Sequence, residues 1–289
     1  MIDIQKRIDQ IRHDREHGSR WLVRETISLL HDIASDGQRP EQERMRMLEK
    51  AGRELAQARP AMAAIAGAVS RVVYAQGGIE QKAQAAAQLL RDYDTSLERI
   101  TNYARPLLTG TLMTHSLSGT VLEVLKACKE QIERIIVLEG RPRYEGREVA
   151  QQLSQNGIAV TLITDAQADI FLPQCQAVLV GADSILADGS VLNKAGTALV
   201  AWAARGHGKA FYVLSETLKI SPHRWTGNLE QLEEKEPEEV LEQAIPGVTA
   251  RNFYFDHTLA SLITTILTEQ GPLDVAQVQH IASTLKAVV

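Results

Sequence analysis

The chain has 289 residues, 44% hydrophobic and 23% charged, enough for one large domain or two medium ones with a sizeable core. A formal net charge of -5 argues against nucleic acid as a direct partner. The charged amino terminus lacks a signal-peptide core and no apolar run approaches the roughly 20 residues that span a bilayer, so a cytoplasmic chain off the membrane is expected.

Residues 1–105 read as helix throughout. Ile2, Ile4, Ile8 and Ile11 approximate one helical face, and Trp21, Leu22, Ile27, Leu29, Leu30 and Ile33 make another. Helical patterns follow over 45–58, 62–73 and 79–103, with Pro60 where a helix start tolerates it and Gly77-Gly78 as a break. Strand signals are nearly absent, which predicts an all-α bundle domain of four or five segments. Beyond Pro106 short apolar runs alternate with helical patterns. The runs lie at 111–113, 135–138, 159–163, 177–180, 211–214 and 253–255, and helices fit 119–129 and 146–156. Such alternation predicts an α/β fold, a Rossmann-like parallel sheet covered on both faces over 106–289. The acidic run 230–242 reads as a solvated helix or loop, with an acidic docking site as the alternative. Cys128 and Cys175 match no metal-ligand or disulfide spacing and read as reduced, buried thiols.

Ligands of open α/β sheets collect at the carboxyl ends of strands, and four such ends carry polar clusters. Thr114-His115-Ser116 with Ser118-Gly119-Thr120 leads into a helix, where backbone N–H groups suit a phosphate; helix capping explains the same residues. His115 fits structural hydrogen bonding as well as ligand contact. Three arginines, Arg141, Arg143 and Arg147, follow a buried strand, and their forks match phosphate oxygens, although a surface turn would carry them equally. Asp183 follows the run 178–180, and Asn193-Lys194 is placed where the next helix begins. Lys219 lies just beyond the strand 210–214. A carboxylate, an amide and an ammonium in one crevice suit a small phosphorylated ligand. No nucleotide fingerprint, metalloprotease motif or calcium loop is present, and a Ser–His triad lacks an orienting acid.

In this order the clusters resemble the family that joins the alpha, beta and delta subunits of eukaryotic initiation factor 2B to two sugar-phosphate isomerases. Those isomerases act on ribose-1,5-bisphosphate and methylthioribose-1-phosphate. The resemblance is carried by Thr114-His115-Ser116, Glu139-Gly140-Arg141-Pro142 with Glu145-Gly146-Arg147, Gly181-Ala182-Asp183, Asn193 to Thr197, and Ser215 to Lys219. It resumes at Phe255-Asp256-His257-Thr258 and Leu267 to Gly271. It implies a helical domain before a Rossmann-like one, a homodimer, and a phosphosugar or nucleotide pocket. It also implies that Asp183 matches a proton-transferring aspartate.

Three positions depart from the isomerase pattern. Ser116 stands where the isomerases have a cysteine, and a hydroxyl is a poor proton carrier near neutral pH. His17-Gly18-Ser19-Arg20 replaces an Arg-Gly-Ala-type phosphate loop, and Glu145 stands where the isomerases tend to have glutamine. Two readings stay open. One is a cofactor-free, metal-free aldose–ketose isomerase with Asp183 and Ser116 as candidate catalytic residues. Its substrate would be held by Arg141, Arg147, Asn193, Lys194, Gly18, Ser19, Arg20 and Lys219. The other is a non-catalytic sensor, resembling an initiation factor 2B alpha subunit, that binds a sugar phosphate or nucleotide and leaves room for a protein partner.

Overall fold

The structure is a computed structural model that describes residues 3–14, 19–59 and 62–286. Five helices come first: α1 (Ile4–His13), α2 (Ser19–Ala34), α3 (Glu41–Ala58), α4 (Ala63–Val73) and α5 (Ile79–Ala104). Their apolar faces close on one cluster that includes Ile8, Ile11, Ile27, Leu30, Leu48, Leu55, Ile65 and Val69. The helical spacing of those residues puts them on one face of each helix, and burying that face stabilises the bundle. Arg44, in α3, bonds the Ala34 carbonyl at the end of α2 and Glu80 in α5, tying three helices together.

The rest of the chain runs β1 (Gly110–Thr114), α6 (Gly119–Ala127), β2 (Ile132–Leu138), α7 (Glu145–Gln155), β3 (Val160–Ile163), α8 (Ala168–Phe171) and β4 (Ala177–Val180). It continues through β5 (Ser184–Ile185), β6 (Val191–Lys194), α9 (Thr197–Gly206) and β7 (Ala210–Leu214). The last elements are β8 (Glu234–Lys235), β9 (Asn252–Phe253), β10 (Phe255–Thr258), β11 (Thr265–Thr268), β12 (Gly271–Leu273) and α10 (Val275–Thr284). Seven strands form the main sheet in the order β12-β11-β7-β4-β1-β2-β3, parallel except for β12. Reversal of strand order between β1 and β4 makes the doubly wound arrangement whose ligands sit at that switch point.

Burial on both faces explains the apolar runs. Met113, Ile136, Leu138, Val178, Val180 and Phe211 face one cluster, whereas Leu112, Ile135, Val137, Ala177 and Leu179 face the other. Successive residues point to opposite faces, so an unbroken apolar strand is covered on both. The long helix α5 serves two cores: Ile79, Ala83 and Tyr93 lie with the helical cluster, and Ile100 and Ala104 lie against the sheet.

Two expectations need correction. The run 253–255 is not a strand of the parallel sheet. Phe253 ends β9 and Phe255 starts β10, which pairs antiparallel with β6, and the sixth parallel strand is β11. Asn193 and Lys194 do not open a helix; they end β6, a short strand folded against β5, and α9 starts three residues later at Thr197. The acidic run is irregular, with turns at Leu229–Leu232 and Pro237–Glu239 and the two-residue strand β8.

Candidate functional site

The helical cluster meets the sheet at the carboxyl end of β7. Gly67 of α4 packs so closely on the Leu218 carbonyl that a Cβ would lie 2.0 Å from it. Leu218 belongs to the helical core although it follows a strand. This contact leaves a crevice between the bundle and the strand ends.

One end of the crevice is a charged cluster. Arg20, at the start of α2, donates to Glu216 Oε1 at 2.9 Å, to Ser96 Oγ at 3.2 Å and to the Tyr93 carbonyl at 3.1 Å, and its guanidinium lies 4.8 Å from the Tyr93 ring centre. Thr120 Oγ1, in the first turn of α6, donates to Glu216 Oε1 at 2.9 Å, and Lys219 Nζ stands 4.0 Å from Glu216 Oε2. Burial alone would raise the Glu216 carboxyl, but Lys219, Arg20 and the Thr120 hydroxyl together hold it below the usual range, so it stays ionised. Lys219 also donates to the Ala182 carbonyl at 2.7 Å, which fixes it beside Asp183. Ser19, Arg20, Tyr93, Thr120, Asp183, Glu216 and Lys219 all line a small cavity of about 50 Å³. Asp183 also lines a larger one of about 670 Å³ between α4 and the residues after β7.

A second cluster, outside the residues that line either cavity, is built around Lys194. Its Nζ is 3.0 Å from Glu145 Oε1 and 4.7 Å from the Tyr254 ring centre. Ser116 Oγ donates to the same Glu145 oxygen at 3.4 Å, and Ser116 holds a φ of 70°, in the left-handed region that non-glycine residues rarely adopt. His115 is buried, with Nε2 2.9 Å from the Ala195 carbonyl; burial pulls its pKa down, so the neutral ring that donates from Nε2 is favoured. Asp183 lies within electrostatic reach of both clusters. Burial raises its carboxyl, and the charges that reach it are Lys219, Glu233, Lys194 and Glu145. A carboxyl raised in this way can hold or release a proton nearer neutral pH than an ordinary aspartate.

Not every expected residue meets this crevice in the same way. Arg141 donates to the Tyr144 hydroxyl at 2.8 Å, and Arg147 lies 3.9 Å over the Tyr144 ring and 3.7 Å from Glu139; both are exposed. Their guanidinium groups flank Tyr144, the cap of α7, and among the described residues no contact joins either to Asp183. The Asn193 amide donates to Thr197 Oγ1 at 3.0 Å, which in turn donates to the Lys194 carbonyl at 2.6 Å, so Asn193 braces the turn into α9. Ser19 is exposed at the start of α2, and Gly18 lies outside the described residues. Tyr93 and Tyr254 lay outside every expected cluster, and Thr120 and Glu216, though inside two of them, had no role assigned. Glu216 stood beside Lys219 in the sequence, but nothing local marked its pairing with Arg20.

A doubly wound sheet with a charged crevice beside its switch point is the architecture of a small-ligand-binding α/β protein. The chain belongs to the initiation factor 2 subunit family, whose model matches residues 15–275. It is 32% identical to the ribose 1,5-bisphosphate isomerase of Archaeoglobus fulgidus, over 94% of this chain and 90% of that protein. It is 30% identical to a putative translation initiation factor eIF-2B subunit 2-like protein of Pyrococcus horikoshii, over 91% and 93%. The crystal structure of a Pyrococcus horikoshii translation initiation factor eIF-2B superposes with a TM-score of 0.75 and 28% identity, covering 94% of this chain and 98% of that one. Among the described residues no helix is long and apolar enough to cross a membrane.

Proposed function

We propose that this protein binds a phosphorylated pentose in the crevice and interconverts its aldose and ketose forms. The observation that carries the reading is the convergence of Arg20, Lys219, ionised Glu216 and Asp183 on one small cavity at a strand end. In this reading the phosphate sits at the start of α2, where Ser19, Arg20 and Lys219 offer N–H and ammonium donors. Asp183 takes the proton from sugar C2 and delivers it to C1, while the O2 proton passes to the ring oxygen released from C1. C2 thereby becomes the carbonyl, and the electron pairs move within the substrate without a redox partner. Lys194 and Ser116 hold sugar oxygens at the far end. Arg141 and Arg147 enter only if a ligand draws them off Tyr144. Likeness to a ribose 1,5-bisphosphate isomerase supports the reaction class.

The rest of the reading follows the same architecture. Residues 106–289 form the Rossmann-like ligand-binding domain, and 1–105 form the helical domain that closes one side of the site. Separate apolar clusters support that division, with α5 shared between them. A cytoplasmic homodimer is part of the proposal, and size-exclusion chromatography with light scattering tests the dimer.

A second reading, a sensor without catalysis, is favoured by one observation: Ser116 is bonded to Glu145 and cannot supply the proton transfers of a thiol. One experiment separates the two. Purified protein is incubated with ribose 1,5-bisphosphate, methylthioribose 1-phosphate and ribose monophosphates, and ketose formation is followed by NMR. The isomerase reading expects turnover that Asp183→Asn lowers at least about a hundredfold, the scale of a lost general acid–base group. Binding without turnover replaces it with the sensor, and absence of both refutes the pair.

A further inference from the structure

We propose that Glu145 limits the charge a ligand can carry at the Lys194 end, so that this chain prefers a pentose with one phosphate over a pentose with two. The inference rests on the phosphosugar reading above. Glu145 Oε1 lies 3.0 Å from Lys194 Nζ, and the two side chains are only 18% and 8% exposed. This cation is therefore already matched by an anion in a poorly hydrated place. Ser116 Oγ adds a donor at 3.4 Å, and Glu145 Oε2 is buried without a hydrogen-bond partner among the described residues. A phosphate of charge about −1.5 to −2 that reached Lys194 would stand beside this carboxylate and repel it.

The cations further out are engaged too. Arg147 lies against Glu139 and Tyr144, Arg143 stands 4.0 Å from Glu239, and Lys235 stands 3.0 Å from Glu233. At the opposite end the balance differs. Arg20 and Lys219 both pair with Glu216, and all three line one small cavity. Two cations meet at that cavity, and the amide dipoles at the start of α2 add to them. The crevice thus has one anion-accepting end. Its other end is a donor–acceptor pair, the complement of a sugar hydroxyl.

Calorimetry with ribose 1-phosphate, ribose 5-phosphate and ribose 1,5-bisphosphate tests this on the full chain. In the wild type the bisphosphate should bind no more tightly than the better monophosphate. In Glu145→Gln the ratio of bisphosphate to monophosphate affinity should rise at least about tenfold. A wild-type preference for the bisphosphate of about tenfold, or an unchanged ratio in the variant, overturns the inference and leaves the phosphosugar reading standing. Failure of the wild type to bind any of the three refutes that reading, and the inference with it. The wild-type comparison decides alone if the variant does not fold.

Discussion

Arg20 and Glu216 are 196 residues apart and join the first turn of α2 to the end of β7. Their pairing should be measurable as a coupling energy between the bundle and the sheet. Replacing Glu216 with Gln leaves Arg20 and Lys219 facing an amide at a position that is 4% exposed on the Glu216 side. Breaking one member of a fully buried pair costs about 3–5 kcal/mol. Arg20 is 30% exposed and partly screened, so about 3 kcal/mol is the expectation here. Arg20→Met leaves Glu216 its contacts with Thr120 and Lys219 and should cost about 2 kcal/mol. The double variant loses the shared bond only once, so it should fall short of additivity by about 2 kcal/mol. Urea unfolding of the four proteins at pH 7.5 gives the cycle, with equal slopes as the check that the same surface is exposed each time. Additivity within about 0.5 kcal/mol would refute the claim that this pair holds the site together.

Gly67→Ala places a methyl 2.0 Å from the Leu218 carbonyl and must push α4 off the turn that carries Lys219. Overpacking of this kind costs about 3 kcal/mol, and a fall in Tm of roughly 5–10 °C is expected in calorimetry. A change below about 2 °C would show that the close approach carries no weight. Burial raises the Asp256 carboxyl to about 6 from 3.8, against the N–H groups of Ala198 and Gly196 that it accepts at the start of α9. The folded state then binds the proton more tightly than the unfolded chain. This residue's contribution is full below the unfolded value and is lost as pH rises to about 6, at most about 3 kcal/mol in all. Urea midpoints between pH 4.5 and 7 should show the wild type losing stability relative to Asp256→Asn up to pH 6 and level beyond; a difference independent of pH counts against it. Burial pushes the Cys175 thiol up to about 11 and raises that of Cys128, so neither should react with a thiol reagent at pH 7.5 until the protein unfolds. Rapid labelling of the native chain would contradict this.

Local pattern carried much of the architecture. The runs at 177–180 and 210–214 are strands with those bounds, and the helical spacing before Pro106 returns as five helices among the described residues. Periodicity reports which faces are buried, and that is a property of neighbouring residues. It did not separate β6 from a helix start. Val191 to Lys194 is too short to show alternation, and its partner in β10 lies beyond residue 250. The aromatic residues of 253–255 drew the sixth strand to the wrong place, although the β-branched run of β11 was there to be read.

By itself the sequence settled the mixed α/β class and which polar clusters follow strands, because hydrophobic period and turn residues act over a few positions. Tertiary structure decided which charges meet. Strand order brings the ends of β1, β4 and β7 side by side, α4 closes on Leu218, and only then do Arg20 reach Glu216 and Lys194 reach Glu145. Electrostatic pairing falls off with distance through space, and no spacing along the chain encodes that distance.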